Sequence, residues 1–314
     1  MSGTRLRVVS DVRCGRHRVP AGFPERPERL TTVLDALERA GMEVEAAGDH
    51  PQAAERVATL HSLAYVERFE RAVAAGRSLL DTDDNPIMAA TWEAAWAAVA
   101  ASLHAADRVL DGAARRAFAA VRPPGHHAER GEAMGFCFFN NAALVAEHCL
   151  ARGLGRVAIL DFDVHHGNGT QHLFEERADV FYASLHQFPF YPGTGAANER
   201  GRGEGAGTTL NVPLPAGTGD AAYEAALEDE VLPQIEAFGP QLLVLSAGFD
   251  AYERDPLGGM RVTRAGFRRW GEMLGELADR VAEGRVVVVL EGGYALPDLG
   301  ALVVKHLAAL AGGS

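Results

Sequence analysis

Disulfide chemistry has little to work with in this chain. Its 314 residues include three cysteines, Cys14, Cys137 and Cys149, an odd number with no CxxC spacing. That excludes a disulfide framework and points to a reducing compartment. Long apolar runs are missing as well. No stretch reaches membrane-spanning length, and the opening MSGTRLRVVSD lacks the apolar centre of a secretory signal. A cytoplasmic protein without membrane attachment is expected. Positive charge is also scarce: 30 basic residues stand against 42 acidic ones, a net charge of −12. This balance favours solubility and argues against general nucleic-acid binding. No repeat, low-complexity linker or charge block divides the chain, so a single domain over residues 1–314 is expected.

Hydrophobic residues make up 47% of the chain, enough for a large core. They come in alternating blocks. LRVVSDV reads as a strand, and RPERLTTVLDALERAGM as a helix closed by Gly41. MAATWEAAWAAVAASLHAADRVLDG reads as a long helix ended by Gly112, with Trp92 and Trp96 packed on its core side. Five apolar runs follow, RAFAAV, RVAILDFD, DVFYASLH, QLLVLSAGFD and RVVVVLEGGY, and TTLNVPLP reads as a further strand. Such runs between helical segments predict an α/β protein, with a parallel sheet covered on both faces. Pro233 should kink the helix DAAYEAALEDEVLPQIEAFG or mark its last turns. The glycine-rich GTGAANERGRGEGAGT reads as a long functional loop between strands.

In open α/β sheets ligands sit beyond the carboxyl ends of the strands. Collecting the polar residues there gives Asp161, Asp163, His165, His166 and Asn168 after RVAIL, and Asp250 after QLLVLSAG. RVVVVLEGG leads to Tyr294, and RAFAAV leads to His126 and His127. Asp163 and His165, two apart, point the same way in an extended segment. With Asp250 they make an acid–imidazole–acid set with one corner open, as a catalytic zinc requires; iron or cobalt also suits such ligands. Any one of these residues alone reads as a turn cap or a core histidine. The set, at adjacent strand ends beside a paired histidine, does not.

RPPGHHAE is a stiff loop, where two adjacent imidazoles can be aimed at one spot. Backed by Asp161, His126 would be raised in pKa; backed by the amide of Asn168, His127 would not. The pair then supplies a base for water and an acid for a leaving amine. Tyr294, after flexible glycines, can donate to a developing oxyanion.

The motifs RPERLTTVLDAL, RPPGHHAE, MGFCFFNNAA, ILDFDVHHGNGTQ, VFYASLHQFPFYPGTG, LVLSAGFDAYERDPLGG and VVLEGGY run from about residue 22 to 294. Together they resemble the histone deacetylase-type zinc amidohydrolases, in the branch of the class II enzymes and their bacterial relatives. The resemblance implies the arginase/deacetylase fold, a central eight-stranded parallel sheet flanked by helices on both faces. It implies zinc on Asp163, His165 and Asp250, and hydrolysis of an N-acetyl amide to acetate and a free amine. His127 would be the base and later acid, His126 its electrostatic support, and Tyr294 the transition-state donor. Gly135, Phe136 and Phe190 would wall the acyl-lysine tunnel, and Asp84 would sit on its rim. Potassium is implied at Asp161, Asp163, His165, Ser184 and Leu185, with a second site at Phe174, Arg177 and Val180.

Two departures bear on substrate. Phe23 stands in FPERP where many relatives have histidine, which unsettles the entrance loop but not the metal. Leu257 follows DP where polyamine-preferring relatives can carry glutamate. Leucine cannot attract a cationic polyamine, so acetyl-lysine or a small acetylated amine is the expected substrate. An acetylpolyamine amidohydrolase and a non-catalytic acyl-lysine reader are the alternatives. An arginase-like manganese hydrolase would need more metal-directed acids. The Ala/Arg/Gly-rich composition suggests a bacterial source.

Overall fold

The computed structural model describes residues 6–312; residues 1–5, on which the expected absence of a signal segment partly rests, lie outside them. The strands are β1 (Leu6–Ser10), β2 (Val44–Ala46), β3 (Arg116–Ala119), β4 (Val157–Asp161), β5 (Val180–Gln187), β6 (Thr209–Leu214), β7 (Leu243–Ala247) and β8 (Val286–Leu290). They form one eight-stranded sheet in the order β2-β1-β3-β8-β7-β4-β5-β6. Every pairing is parallel. Strands β3, β4, β5, β7 and β8 are buried at every position. That is why their sequences read as predominantly apolar runs rather than as alternation of apolar and polar residues.

Ten α-helices cover the sheet: α1 (Pro27–Arg39), α2 (Ala53–Leu60), α3 (Leu63–Ala74), α4 (Thr91–Leu110), α5 (Asn141–Ala151), α6 (Asn168–Phe174), α7 (Asp220–Ala226), α8 (Leu232–Phe238), α9 (Arg264–Val281) and α10 (Leu296–Leu310). Helices α4 and α5 pack together and onto the central strands, while α1, α9 and α10 form a second packed group. Trp92 and Trp96 face Phe139 edge-on across α4 and are core packing. Each fully buried Val, Leu, Ile or Phe contributes roughly 1.5–3 kcal/mol.

Pro233 stands in the last turns of its helical segment, in the first turn of α8 and directly after a π-helical turn over Leu227–Val231. The wider turn accommodates the ring where an α-helical interior would clash. The loop over residues 193–208 is held by Glu199, which accepts from the N–H groups of Gly195 and Ala196 and from Gln171 of α6, and it is not among the residues lining the cavity described below.

Candidate active site

The strands β3, β8, β7 and β4 are immediate neighbours. Their carboxyl ends run into residues 122–129, 291–294, 249–250 and 161–168, which therefore meet on one rim. Beyond β4 and β7, one ligand atom each of Asp163, His165 and Asp250 lies within 4.8 Å of the others. Asp163 Oδ1 accepts from the His165 N–H at 3.0 Å, and its Oδ2 from the Gly292 N–H at 2.8 Å. Asp250 Oδ1 accepts from the Val164 N–H at 2.9 Å. Asp250 Oδ2 is buried with no hydrogen-bond partner, 3.3 Å from His165 Nδ1. An orphaned buried carboxylate oxygen is costly unless a cation meets it. Burial, reinforced by the Asp163 charge, pushes Asp250 up to about 7. Two carboxylates, an imidazole and an unused lone pair fit a divalent cation with an open coordination position. Gly292 makes room for them: a Cβ there would stand 2.2 Å from Asp250 Oδ2 and 2.5 Å from Asp163 Oδ2.

The imidazoles of His126 and His127 lie with centroids 4.0 Å apart. His126 Nδ1 is 2.9 Å from Asp161 Oδ2. Burial disfavours its cation, but the charges of Asp161 and Asp163 outweigh that and raise it to about 10. His127 Nδ1 is 2.7 Å from Asn168 Oδ1. Burial and the charges of His126 and His165 hold His127 well below its usual value. The two adjacent rings are thus pushed in opposite directions, His126 toward its cation and His127 toward its neutral form. His166 is not part of this group; its nitrogens turn to Thr194 and Gln171.

His126, His127, His165 and Gly292 line a cavity of about 210 Å³. Gly135, Phe136, Phe190, Leu257 and Asp84 all line it, with Tyr294 beside the histidines. Phe190 stacks on the His165 ring at 5.2 Å. Gly135 lies so close to His127 that a Cβ would fall 2.2 Å from its Cδ2. Asp84 accepts from the Gly135 N–H at 3.2 Å and from the Tyr191 hydroxyl at 2.9 Å. Phe23 packs edge-on against Phe136 at 5.2 Å, extending the apolar wall toward the entrance. Tyr294 is buried, and burial raises its phenol well above the usual value, so the ring keeps its donor proton.

Of the remaining sequence candidates, Asp161 is paired with Ser184 across β4 and β5, with Leu185 next along the strand. The Ser184 hydroxyl lies 2.9 Å from His186 Nδ1. Phe174, Arg177 and Val180 cluster where α6 ends and β5 begins, and the Arg177 guanidinium turns away to Asp179 and Glu147.

Several site residues escaped the sequence reading. Tyr191 is a cavity wall whose only signal was a second aromatic beside Phe190. Glu291 accepts from the backbone N–H groups of Gly125 at 2.6 Å and His126 at 3.2 Å, and from the Ser246 hydroxyl at 3.0 Å, anchoring the histidine loop. Arg29 donates to the Gly293 carbonyl at 2.7 Å and lies 4.8 Å over the Tyr294 ring. Such contacts span the chain, and no local pattern announces them.

A covered parallel sheet with a convergent acid–imidazole–acid set and a histidine pair at its carboxyl rim has the make-up of a hydrolase site on an α/β fold. The histone deacetylase domain family matches over residues 23–310, and the chain belongs to that family. It is 42% identical over 296 residues to the histone deacetylase-like amidohydrolase of Pseudomonas aeruginosa, covering 91% of this chain and 77% of that one. Among solved structures it is similar to the HDA15 HD domain, with a TM-score of 0.92, 38% identity and coverage of 99% and 89%. The acetylpolyamine aminohydrolase of Burkholderia pseudomallei gives a TM-score of 0.87 at 34% identity, over 97% of this chain and 98% of that one. The sheet is the arginase/deacetylase fold, and the family is one of deacetylases and amidohydrolases.

Proposed function

We propose that the chain is a zinc-dependent deacylase that hydrolyses N-acetyl amides, acetyl-lysine side chains foremost, to acetate and a free amine. The observation that carries this reading is the convergence of Asp163, His165 and Asp250, with His165 lining an aromatic-walled cavity beside a histidine pair backed by one carboxylate and one amide. Asp163, His165 and Asp250 would hold the metal, which when bound supplies Lewis acidity toward the acyl carbonyl and toward water. His127, neutral and with Nδ1 turned to Asn168, has its Nε2 lone pair free to take a proton from the attacking water. The same nitrogen can return that proton to the departing amine. His126, kept cationic by Asp161, stabilises the negative charge that develops. The Tyr294 hydroxyl donates to the acyl oxygen as it becomes an oxyanion. Phe136 and Phe190 grip a linear stem between them and exclude water. Leu257 favours an uncharged methylene stem over a polyamine.

Potassium at Asp161, Asp163, His165, Ser184 and Leu185, and at Phe174, Arg177 and Val180, belongs to the same proposal. Carboxylate, hydroxyl and backbone oxygens are ligands that hard cations take. The three buried, unbridged cysteines suit a reducing compartment. No helix among the described residues is long and apolar enough to cross a membrane.

The test is hydrolysis of an acetyl-lysine peptide and of acetylspermidine, side by side, by zinc-loaded protein, by chelated protein and by Tyr294→Phe. Metal-dependent cleavage of the peptide, lost in the variant, is the expected result. Preference for acetylspermidine would move the assignment to polyamines. Cleavage of neither by protein with zinc bound would favour a reader of acylated lysine.

A further inference from the structure

The side-chain amide of Asn168 can face His127 either way round, and only one way leaves a base. With Oδ1 toward the ring, His127 Nδ1 carries the proton and Nε2 holds a lone pair. With Nδ2 toward the ring, Nδ1 must accept, the proton moves to Nε2, and the ring can no longer take one from water. A carboxylate in this place, such as Asp161 behind His126, has no such ambiguity. An amide needs something to orient it.

The surroundings supply that. Asn168 Nδ2 donates to Glu129 Oε1 at 2.6 Å, and lies 3.3 Å from Met134 Sδ and 3.4 Å from the His127 carbonyl. All three are acceptors, so the amide nitrogen belongs on their side and the oxygen is left for His127. Glu129 makes the shortest of these contacts and the one that bears charge. It is itself held by His172, whose Nδ1 donates to the same oxygen at 2.8 Å. That hydrogen bond raises His172 against the opposing effect of its partial burial. Asn168 and His172 are four residues apart on α6 and so share a face. Glu129 closes the arrangement from the histidine loop.

We propose that Glu129 is a positioning residue that sets the tautomer of His127, by fixing the Asn168 amide with its oxygen toward Nδ1. The inference rests on the proposed role of His127 as base. Glu129 touches neither the reacting atoms nor the cavity; it acts through Asn168.

The test uses Glu129→Met, which keeps length and removes every acceptor oxygen, in two backgrounds: the natural chain and a chain carrying Asn168→Asp. An aspartate accepts from Nδ1 whichever oxygen faces it, so it needs no orienting partner. In the natural background kcat should fall about tenfold, the loss of one charge-assisted hydrogen bond, with KM unchanged. In the Asn168→Asp background Glu129→Met should cost nothing further. The spectroscopic readout is the 15N shifts of His127 in histidine-labelled protein, assigned with His127→Gln. Glu129→Met should move them from an Nδ1-protonated pattern toward an Nε2-protonated one. An unmoved His127 tautomer, no loss in the natural background, or an equal loss in both backgrounds would overturn the proposal. If the natural chain cleaves neither substrate, the function reading fails on its own, and the 15N shifts still decide the tautomer.

Discussion

The Asp255 carboxylate holds Tyr294 by its backbone: Oδ2 accepts from the Tyr294 N–H at 2.6 Å and from the Ala295 N–H at 3.1 Å. Its other oxygen accepts from the Leu257 N–H at 2.9 Å. One buried side chain thus ties the turn that bears the cavity wall to the turn that bears the phenol. Asp255→Asn puts a donor where acceptors are needed and leaves at least one buried N–H unpaired, a cost of about 1–3 kcal/mol. We expect kcat to drop by about tenfold or more. The loss should shrink when Asp255→Asn is added to Tyr294→Phe, because there is then no hydroxyl left to misplace. Steady-state kinetics on the four chains checks this; equal losses with and without the hydroxyl would separate Asp255 from Tyr294.

Gly292→Ala should weaken metal binding without unfolding the sheet. The new methyl would overlap Asp250 Oδ2 and Asp163 Oδ2, and the surrounding strands are too tightly packed to yield. Displaced ligands commonly lower metal affinity by about 10–100-fold. Competition with a chromophoric chelator measures zinc affinity directly, and thermal unfolding of the metal-free protein reports whether the fold survives. Undiminished affinity would mean that the two carboxylates do not act together on one ion.

What could be read from the sequence follows the range of the interactions. The sheet's central strands were readable because burial on both faces writes continuous Val, Leu and Ile runs into the chain. The four strand ends were readable because each run stops at a polar residue. That β3, β8, β7 and β4 are immediate neighbours was not, since strand order depends on crossovers rather than on any local pattern. Short β2 lacks an apolar run, with its residues only partly buried or exposed, and so carried no signal. Asp255, Glu291, Arg29 and Glu129 escaped because they act on backbone groups or on side chains from other segments.

Acid should destabilise the protein partly through Glu25. This carboxylate is buried, its Oε2 2.6 Å from Arg122 Nη2 and its Oε1 3.1 Å from Arg29 Nη1. Burial alone would raise it, but the two guanidinium charges prevail and lower it to about 2 from its usual 4.5. The folded value lies below the unfolded one, so the unfolded chain binds the proton more readily and stability falls as pH falls. The contribution is complete above about pH 4.5 and disappears as pH approaches about 2, an effect on the order of a few kcal/mol. Glu25→Gln should be less stable at neutral pH, because it strands two buried cations. The gap between it and the natural chain should narrow through that acid window. Denaturant unfolding at several pH values tests this, and a gap that stays constant would remove Glu25 from the acid response.

On the proposed function, Leu257 is the residue through which we expect substrate choice to be changed. It lines the cavity in a turn fixed by Asp255 and is not one of the metal-set residues. An amide stem of methylenes gains from an apolar wall, at roughly 0.8 kcal/mol per buried CH₂. A polyamine presents a second ammonium to the same wall and loses hydration with nothing in return. Leu257→Glu reverses both terms, adding a charge for the ammonium and removing apolar contact for the methylenes. A partly solvated carboxylate–ammonium attraction of about 1–2 kcal/mol would raise kcat/KM for acetylspermidine by about tenfold. The acetyl-lysine peptide should move the other way. The ratio of the two kcat/KM values, measured on the natural chain and on Leu257→Glu, isolates this residue from any general loss of activity. A ratio that does not shift would place polyamine discrimination elsewhere on the rim, with Asp84 and its hydrogen bond to Tyr191 the next pair to vary.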